Sequence, residues 1–232
     1  MSVGMSGPAH DITAQSATPI VMRHSVVRGL WALTLAAALV GWSFVVPRIP
    51  MPWRVLAQAG FSALLIRVTR APVGLCPPRL WSGLRLGSVA GAAAVTAVAA
   101  ATTIPPVRQS MAARELPRSV PEWLAVRIPL GTVWAEEAAF REALSAAAAE
   151  AFGRRGGRLL HAVTFGLWHI VDARATGEPV VPTVLATAIG GWFFGWLADR
   201  SGSLAAPMLA HLAINETAAV AALTIQRRLG KD

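Results

Sequence analysis

Long apolar stretches, separated by short runs rich in Arg and Pro, dominate the pattern of this chain. A helix rises 1.5 Å per residue and the hydrocarbon core of a bilayer is about 30 Å thick, so about 20 residues cross it. The pattern predicts about seven membrane helices, with six to eight left open, at 26–46, 54–69, 86–104, 125–151, 158–172, 181–198 and 203–226. We therefore expect an all-α fold, a polytopic transmembrane helical bundle.

Composition supports a membrane protein. Of the 232 residues, 54% are hydrophobic and only 14% are charged, with a mean hydropathy of +0.52, whereas soluble domains carry about 25% charged residues. The net charge of +9 comes from cations between the apolar stretches, where Arg anchors helix ends at headgroups. We therefore expect membrane lipid, and no nucleic acid, as the charged partner. The single Cys76 excludes an internal disulfide and a multi-cysteine metal site.

The pattern divides the chain into four segments. Residues 1–22 are polar and rich in Ser, Gly, Pro and Ala, and we expect them to be disordered. Residues 23–122 hold the N-terminal membrane helices and interfacial connections, one of which suits a short amphipathic helix on the bilayer surface. Residues 123–226 hold the last four apolar stretches, and residues 227–232 form a basic tail.

Three charged residues stand within six positions of the apolar stretch 125–151: Glu136, Glu137 and Arg141. Charged side chains in spans are costly, rare and usually functional. Glu137 and Arg141 share a helix face and are spaced to form an ion pair. Glu136 points about 100° away, which leaves it as a free carboxylate suited to a general base. The alternative is a buried ion-pair cluster that only fixes helix packing.

Two other stretches carry polar residues at helical spacing. Phe165 and His169 are four residues apart, and so are His211 and Asn215 in the last stretch. A His–Asn pair offers two hydrogen-bond donors from one helix face, which suits stabilisation of an oxyanion. The alternative is interhelical hydrogen bonding without chemistry. His161, near the start of its stretch, is expected at the membrane interface.

Together, one Glu, two His and one Asn on three spans form a set suited to proton transfer and oxyanion binding. No Ser or Cys stands at the spacing of a nucleophile, so attack by an activated water is the chemistry that needs no further residue. The residues therefore predict a hydrolase that works within the membrane.

These residues form three motifs that resemble those of the CPBP intramembrane proteases, also called the CAAX prenyl protease 2/Abi family, which includes lysostaphin-resistance-like proteins. The motifs stand as EEAAFR at 136–141, FGLWH at 165–169 and HLAIN at 211–215, in the family's order on successive helices. The stretch GGWFFGWLADRSGSLAAPMLAHLAIN also resembles the family's segment between the second and third motifs. The resemblance covers about residues 123–226, which it implies form the catalytic core.

The resemblance implies an active site inside a helical bundle and endopeptidase activity on a membrane-associated peptide or protein. By the same resemblance, Glu136 and His169 would activate the water, and His211 and Asn215 would stabilise the oxyanion. The residues implied to support the site are Glu137, Arg141 and Phe165.

Two alternatives stay open beside this interpretation. The family is often described as metalloproteases, but its proposed glutamate mechanism works without metal, so we predict no cofactor; the alternative is zinc held by Glu136, His169 and His211. Short loops and Arg-rich connections indicate a bacterial plasma-membrane protein. The alternative function is a non-proteolytic scaffold for bacteriocin immunity or partner binding, whereas a small transporter is disfavoured because no broken-helix repeat is present.

Overall fold

The computed structural model describes residues 18–230, with side-chain surroundings from residue 24 onward. Every regular element in this range is helical, which confirms the predicted all-α bundle. The helices are α1 (Thr18–Val45), α2 (Met51–Thr69), α3 (Arg79–Ala101), α4 (Pro105–Ala113), α5 (120–152), α6 (154–168), α7 (Ile170–Thr176), α8 (Val180–Ser201) and α9 (Ala205–Arg228). Most of the predicted polar segment 1–22 and the last two residues of the tail lie outside the described residues, and α1 already includes residues 18–22.

Helix α5 changes its winding along its length. It begins as Val120–Glu122, is π-helical over Trp123–Trp134 and Glu137–Leu144, and continues as an α-helix from Ser145. Single π-helical turns are frequent at functional sites. The two π-helical segments here lie on either side of Glu136, so the unusual backbone coincides with the acidic motif.

A glycine separates α5 from α6. Gly153 has φ +73° and ψ 170° inside the segment Ser145–Trp168, a backbone conformation that glycine adopts without the steric cost of a Cβ. The predicted stretch 158–172 is not one helix, because the chain turns at His169 before α7 begins.

Four of the described helices are long and apolar enough to cross a membrane by length and composition. They are His24–Arg48, Arg79–Ala101, Val180–Ser201 and Ala205–Arg228, and each coincides with a predicted span. The other three predicted spans lie in α2, α5 and α6, which are shorter or interrupted by charge. The protein is thus a membrane helical bundle, and the total of seven spans stays a prediction.

Helix α9 packs against α3, α4, α8 and the first part of α5. Glycines on α3 allow close approach: a Cβ at Gly87 would lie 2.9 Å from Ala206 Cα, and one at Gly91 would lie 3.4 Å from Ala213 Cβ. Small residues at helix interfaces permit this packing in membranes. Because His211 is on α9, these contacts fix the position of its backbone.

The segment Ser145–Trp168, which comprises the end of α5 and all of α6, packs against α8 and α1. A Cβ at Gly191 of α8 would lie 3.0 Å from Phe165 Cδ1, and a methyl group at Gly195 would overlap the His161 ring. These two glycines, four residues apart, therefore allow a close contact between α6 and α8. The largest buried cluster lies on the α1 side of α5 and α6 and includes Phe140 and Trp168.

Helix α4 is the short helix expected in the connection between α3 and α5. None of its residues is buried, which agrees with a position at the surface of the bundle. The buried side chain of Gln226 donates hydrogen bonds from Nε2 to the carbonyls of Met111 (3.0 Å) and Arg114 (2.8 Å). These bonds tie the connection to the end of α9.

Candidate active site

The three sequence motifs meet where α5, α6 and α9 pack together. The Phe165 ring of α6 lies 4.7 Å from the His169 ring and 6.3 Å from the His211 ring, measured between centroids. The Glu137 carboxylate of α5 contacts the His211 ring directly. Residues that are tens of positions apart in the chain therefore share one region in the interior of the bundle.

Glu137 holds two partners at once. Its Oε2 lies 3.2 Å from Arg141 Nε, and both side chains are fully buried, so the predicted ion pair forms. Its Oε1 accepts a 2.7 Å hydrogen bond from His211 Nδ1. The second contact was not predicted from the sequence, and it makes Glu137 the residue that orients the histidine ring.

Arg141 lies between aromatic rings. Its guanidinium carbon is 3.9 Å from the centroid of Phe165 and 5.1 Å from that of Phe194. Its terminal nitrogens have no hydrogen-bond partner among the described residues. A desolvated cation over an aromatic face is stabilised by about 2 kcal/mol, so the two rings take over part of the role that hydrogen bonds usually play for a buried guanidinium.

Glu136 is the free carboxylate that the motif spacing predicts. Its Oε2 lies 3.9 Å from His211 Nε2, which is too long for a hydrogen bond, and that oxygen has no hydrogen-bond partner in the described part of the chain. The two adjacent glutamates thus face the two nitrogens of one histidine ring, Glu137 at Nδ1 and Glu136 near Nε2.

His169 lies at the junction of α6 and α7 and is half-buried. Its Nδ1 is 2.8 Å from the Phe165 carbonyl. A carbonyl only accepts, so Nδ1 carries the proton and Nε2 keeps a lone pair. Among residues 24–230, no hydrogen bond or ion pair joins His169 to Glu136. The shortest charged contact of Glu136 is instead with His211, so the joint action of Glu136 and His169 stays a prediction.

Asn215 lies one turn after His211 on the same face of α9. Its Nδ2 donates a 3.2 Å hydrogen bond to the His211 carbonyl, and its side chain is half-buried. The amide keeps a second N–H, because Asn carries two amide hydrogens. The role of Asn215 as an oxyanion donor stays a prediction.

The alternative to a metal-free site is zinc held by Glu136, His169 and His211. No group of three or more His, Cys, Asp or Glu side chains within the described ranges is placed to hold a metal ion. A metal-free site stays our prediction.

Two residues near the site were missed by sequence reasoning. Phe194 of α8 stacks on His211 with ring centroids 5.0 Å apart and 24° between planes. Ser62 of α2 is buried and donates a 2.6 Å hydrogen bond to the carbonyl of Ala135, the residue before Glu136. Phe194 lies in the stretch that resembles the family, whereas nothing in the sequence around Ser62 distinguishes it.

His161 is not at the interface as expected. Its side chain is fully buried, and its Nε2 donates a 3.2 Å hydrogen bond to the Gly191 carbonyl. The absence of a side chain at Gly195 leaves room for the ring between α6 and α8. His161 therefore belongs to helix packing.

Comparison with known proteins gives one match. Residues 118–217 match a family model that is named Rce1-like and described as type II CAAX prenyl endopeptidase Rce1-like. No curated protein and no solved structure matches the chain. The matched segment contains Glu136, Glu137, Arg141, Phe165, His169, His211 and Asn215. All three motifs thus fall within one recognised family segment.

Proposed function

We propose that the protein is an intramembrane endopeptidase in which glutamate and histidine activate the attacking water. The proposal is supported by the match of residues 118–217 to the Rce1-like family model. The observation that carries the proposal is the His211 ring between two carboxylates. Glu137 accepts from Nδ1 at 2.7 Å, and Glu136, without a hydrogen-bond partner on Oε2, lies 3.9 Å from Nε2.

In the first step, Glu136 acts as the general base. A water between Glu136 and the substrate gives a proton to the carboxylate, and its oxygen attacks the carbonyl carbon of the scissile peptide bond. The lone pair on His169 Nε2 accepts a hydrogen bond from the other O–H of this water and so helps to orient the water. A positioned base of this kind contributes about 10²–10⁴-fold to the rate.

In the second step, the negative charge moves to the carbonyl oxygen. In this proposed step His211, whose Nδ1 contacts Glu137, would donate a hydrogen bond from Nε2 to this oxygen, and Asn215 would donate its remaining amide N–H. The tetrahedral intermediate then collapses, the C–N bond breaks, and Glu136 returns its proton to the leaving amine. The products are a carboxylic acid and an amine, and both glutamates end as they began.

The substrate is a peptide or protein segment that reaches the interior of the bundle from the membrane. The residues of the site come from helices that lie among candidate membrane spans. A substrate associated with the membrane therefore reaches them more directly than a substrate in solution. The matched family is described by its action on prenylated substrates, and a prenylated peptide is therefore one arm of the test.

The test compares the purified protein in detergent with its Glu136→Gln variant on a panel of fluorogenic peptides. The panel includes one CAAX peptide in prenylated and unprenylated forms, with and without a chelator. Glu150→Gln is the matched control, because Glu150 lies on the same helix and is exposed. We expect cleavage by wild type and the control, and a loss of about 10³-fold in Glu136→Gln.

Three outcomes would contradict parts of the proposal. Equal cleavage by Glu136→Gln and wild type would remove Glu136 from the chemistry. Cleavage that stops with chelator and returns with zinc would overturn the metal-free mechanism. A folded wild-type protein that cleaves no peptide of the panel would favour the scaffold alternative.

A further inference from the structure

Arg141 pairs with Glu137, and Glu137 in turn binds His211. Phe194 contacts both Arg141 and His211. We propose that Phe194, on α8, is a positioning residue that holds the His211 ring in its active orientation; this rests on the proposed role of His211 in peptide hydrolysis. The residue lies outside the three motifs, and its side chain is 5% exposed.

The first contact is direct. The Phe194 ring stacks on the His211 ring at a centroid distance of 5.0 Å with 24° between the planes. Offset stacking of this kind contributes about 0.5–1.5 kcal/mol beyond burial. The hydrogen bond to Glu137 fixes only Nδ1 of the imidazole, so the ring can still rotate about this hydrogen bond. A flat neighbour on one face removes this rotation.

The second contact acts through Arg141. The guanidinium carbon of Arg141 lies 5.1 Å from the Phe194 centroid and 3.9 Å from the Phe165 centroid. Arg141 in turn pairs with the Glu137 oxygen that His211 does not use. Phe194 therefore supports the acceptor of the His211 hydrogen bond as well as the ring itself.

The neighbouring residues of α8 provide matched controls. Phe193 is 45% exposed and stacks on Trp196 at 5.7 Å, with no ring contact to His211 among those described. Leu197 is fully buried beside Phe194 in the α8–α9 cluster. A change at Phe193 removes an aromatic ring from the same helix, and a change at Leu197 weakens the same packing.

The activity test measures kcat and KM for Phe194→Leu, Phe194→Tyr, Phe193→Leu and Leu197→Ala, each per mole of folded protein. We expect Phe194→Leu to lower kcat by about 10–100-fold with KM within about threefold, since small misplacements of a catalytic group cost up to about 10²-fold. Phe194→Tyr, which keeps the ring, should recover most of kcat. The two controls should keep kcat within about threefold, although Leu197→Ala lowers the unfolding temperature.

A second measurement does not depend on activity. Nitrogen NMR of ¹⁵N-histidine-labelled protein reports which ring nitrogens carry protons, and the His211→Gln variant identifies the His211 signals. We expect Phe194→Leu to change the His211 ring shifts and to leave those of His169 in place. Phe193→Leu should change neither.

The two measurements separate the proposals. Unchanged His211 shifts in Phe194→Leu, or a kcat equal to wild type, would overturn the positioning role. A rise in KM with unchanged kcat would also overturn it. If wild type hydrolyses no peptide, the proposed function fails, while the His211 shifts still decide whether Phe194 orients the ring.

Discussion

Two arginine–carboxylate pairs in this protein lie beside a histidine, yet only one forms a candidate site. The inner cluster comprises Glu137, Arg141 and His211, and the outer cluster comprises Asp199, Arg158 and His161. Both arginines also lie over aromatic rings. Residue types alone therefore do not distinguish the two clusters.

The two clusters differ in burial and in the hydrogen-bond partner of the histidine. The side chains of Glu137 and Arg141 are both 0% exposed, whereas those of Arg158 and Asp199 are 18% and 34% exposed. In the inner cluster the carboxylate also accepts a hydrogen bond from the histidine. In the outer cluster His161 bonds to a backbone carbonyl instead. The inner carboxylate thus orients a ring nitrogen of the histidine away from water, and the outer pair lacks this link.

The largest expected difference is in activity between the two histidines. His211→Gln should lower kcat/KM by about 10²–10³-fold, as loss of an oxyanion donor does. His161→Gln should keep kcat/KM of the folded protein within about threefold. Peptide cleavage by both variants checks this, and a similar loss in both would show that the clusters do not differ in function.

Stability should separate the two carboxylates next. Glu137→Gln leaves Arg141 buried without its charge partner, which costs about 3–5 kcal/mol. Asp199→Asn breaks a partly exposed pair, which costs about 1 kcal/mol or less. Unfolding in detergent, followed by circular dichroism, measures both. Equal losses would mean that burial does not set the difference.

A smaller effect is expected where His161 packs. Gly195→Ala places a methyl group against the His161 ring, and overpacking of this kind costs about 1–3 kcal/mol. Gly190→Ala is the matched control, because nothing lies within 4 Å of a Cβ there. The double variant Gly195→Ala with His161→Ala should regain part of the loss. No recovery would show that the clash lies elsewhere.

The smallest effect concerns salt. The Arg158–Asp199 pair is partly exposed and is therefore screened by ions, whereas a buried pair is screened much less. Raising the salt from about 0.1 M to about 1 M should remove most of the difference between Asp199→Asn and wild type. The loss in Glu137→Gln should stay the same. Unfolding curves at the two salt concentrations make the comparison.

The sequence was sufficient for the helical fold and for the motif residues. Apolar length predicted the four helices that can cross a membrane, and i, i+4 spacing predicted the pair of Glu137 and Arg141. These features depend on local spacing, so they can be derived from consecutive residues.

Other features could not be derived in this way. The buried position of His161 depends on a glycine on another helix, and the contact of Phe194 with His211 depends on how α8 meets α9. Ser62 reaches the carbonyl before Glu136 across 73 residues of chain. Each is a contact between helices whose relative placement is not encoded in the periodicity of either one.

The two adjacent glutamates show where this division falls. The sequence alone determined that both lie in an apolar helix, that Arg141 is in reach of Glu137, and that Glu136 points elsewhere, because a helix fixes the angle between neighbours. Only the tertiary structure decided that both glutamates face one imidazole from opposite nitrogens. The physical reason is that a hydrogen bond between helices depends on their packing, and that packing is set by small residues and aromatic rings far away in the chain.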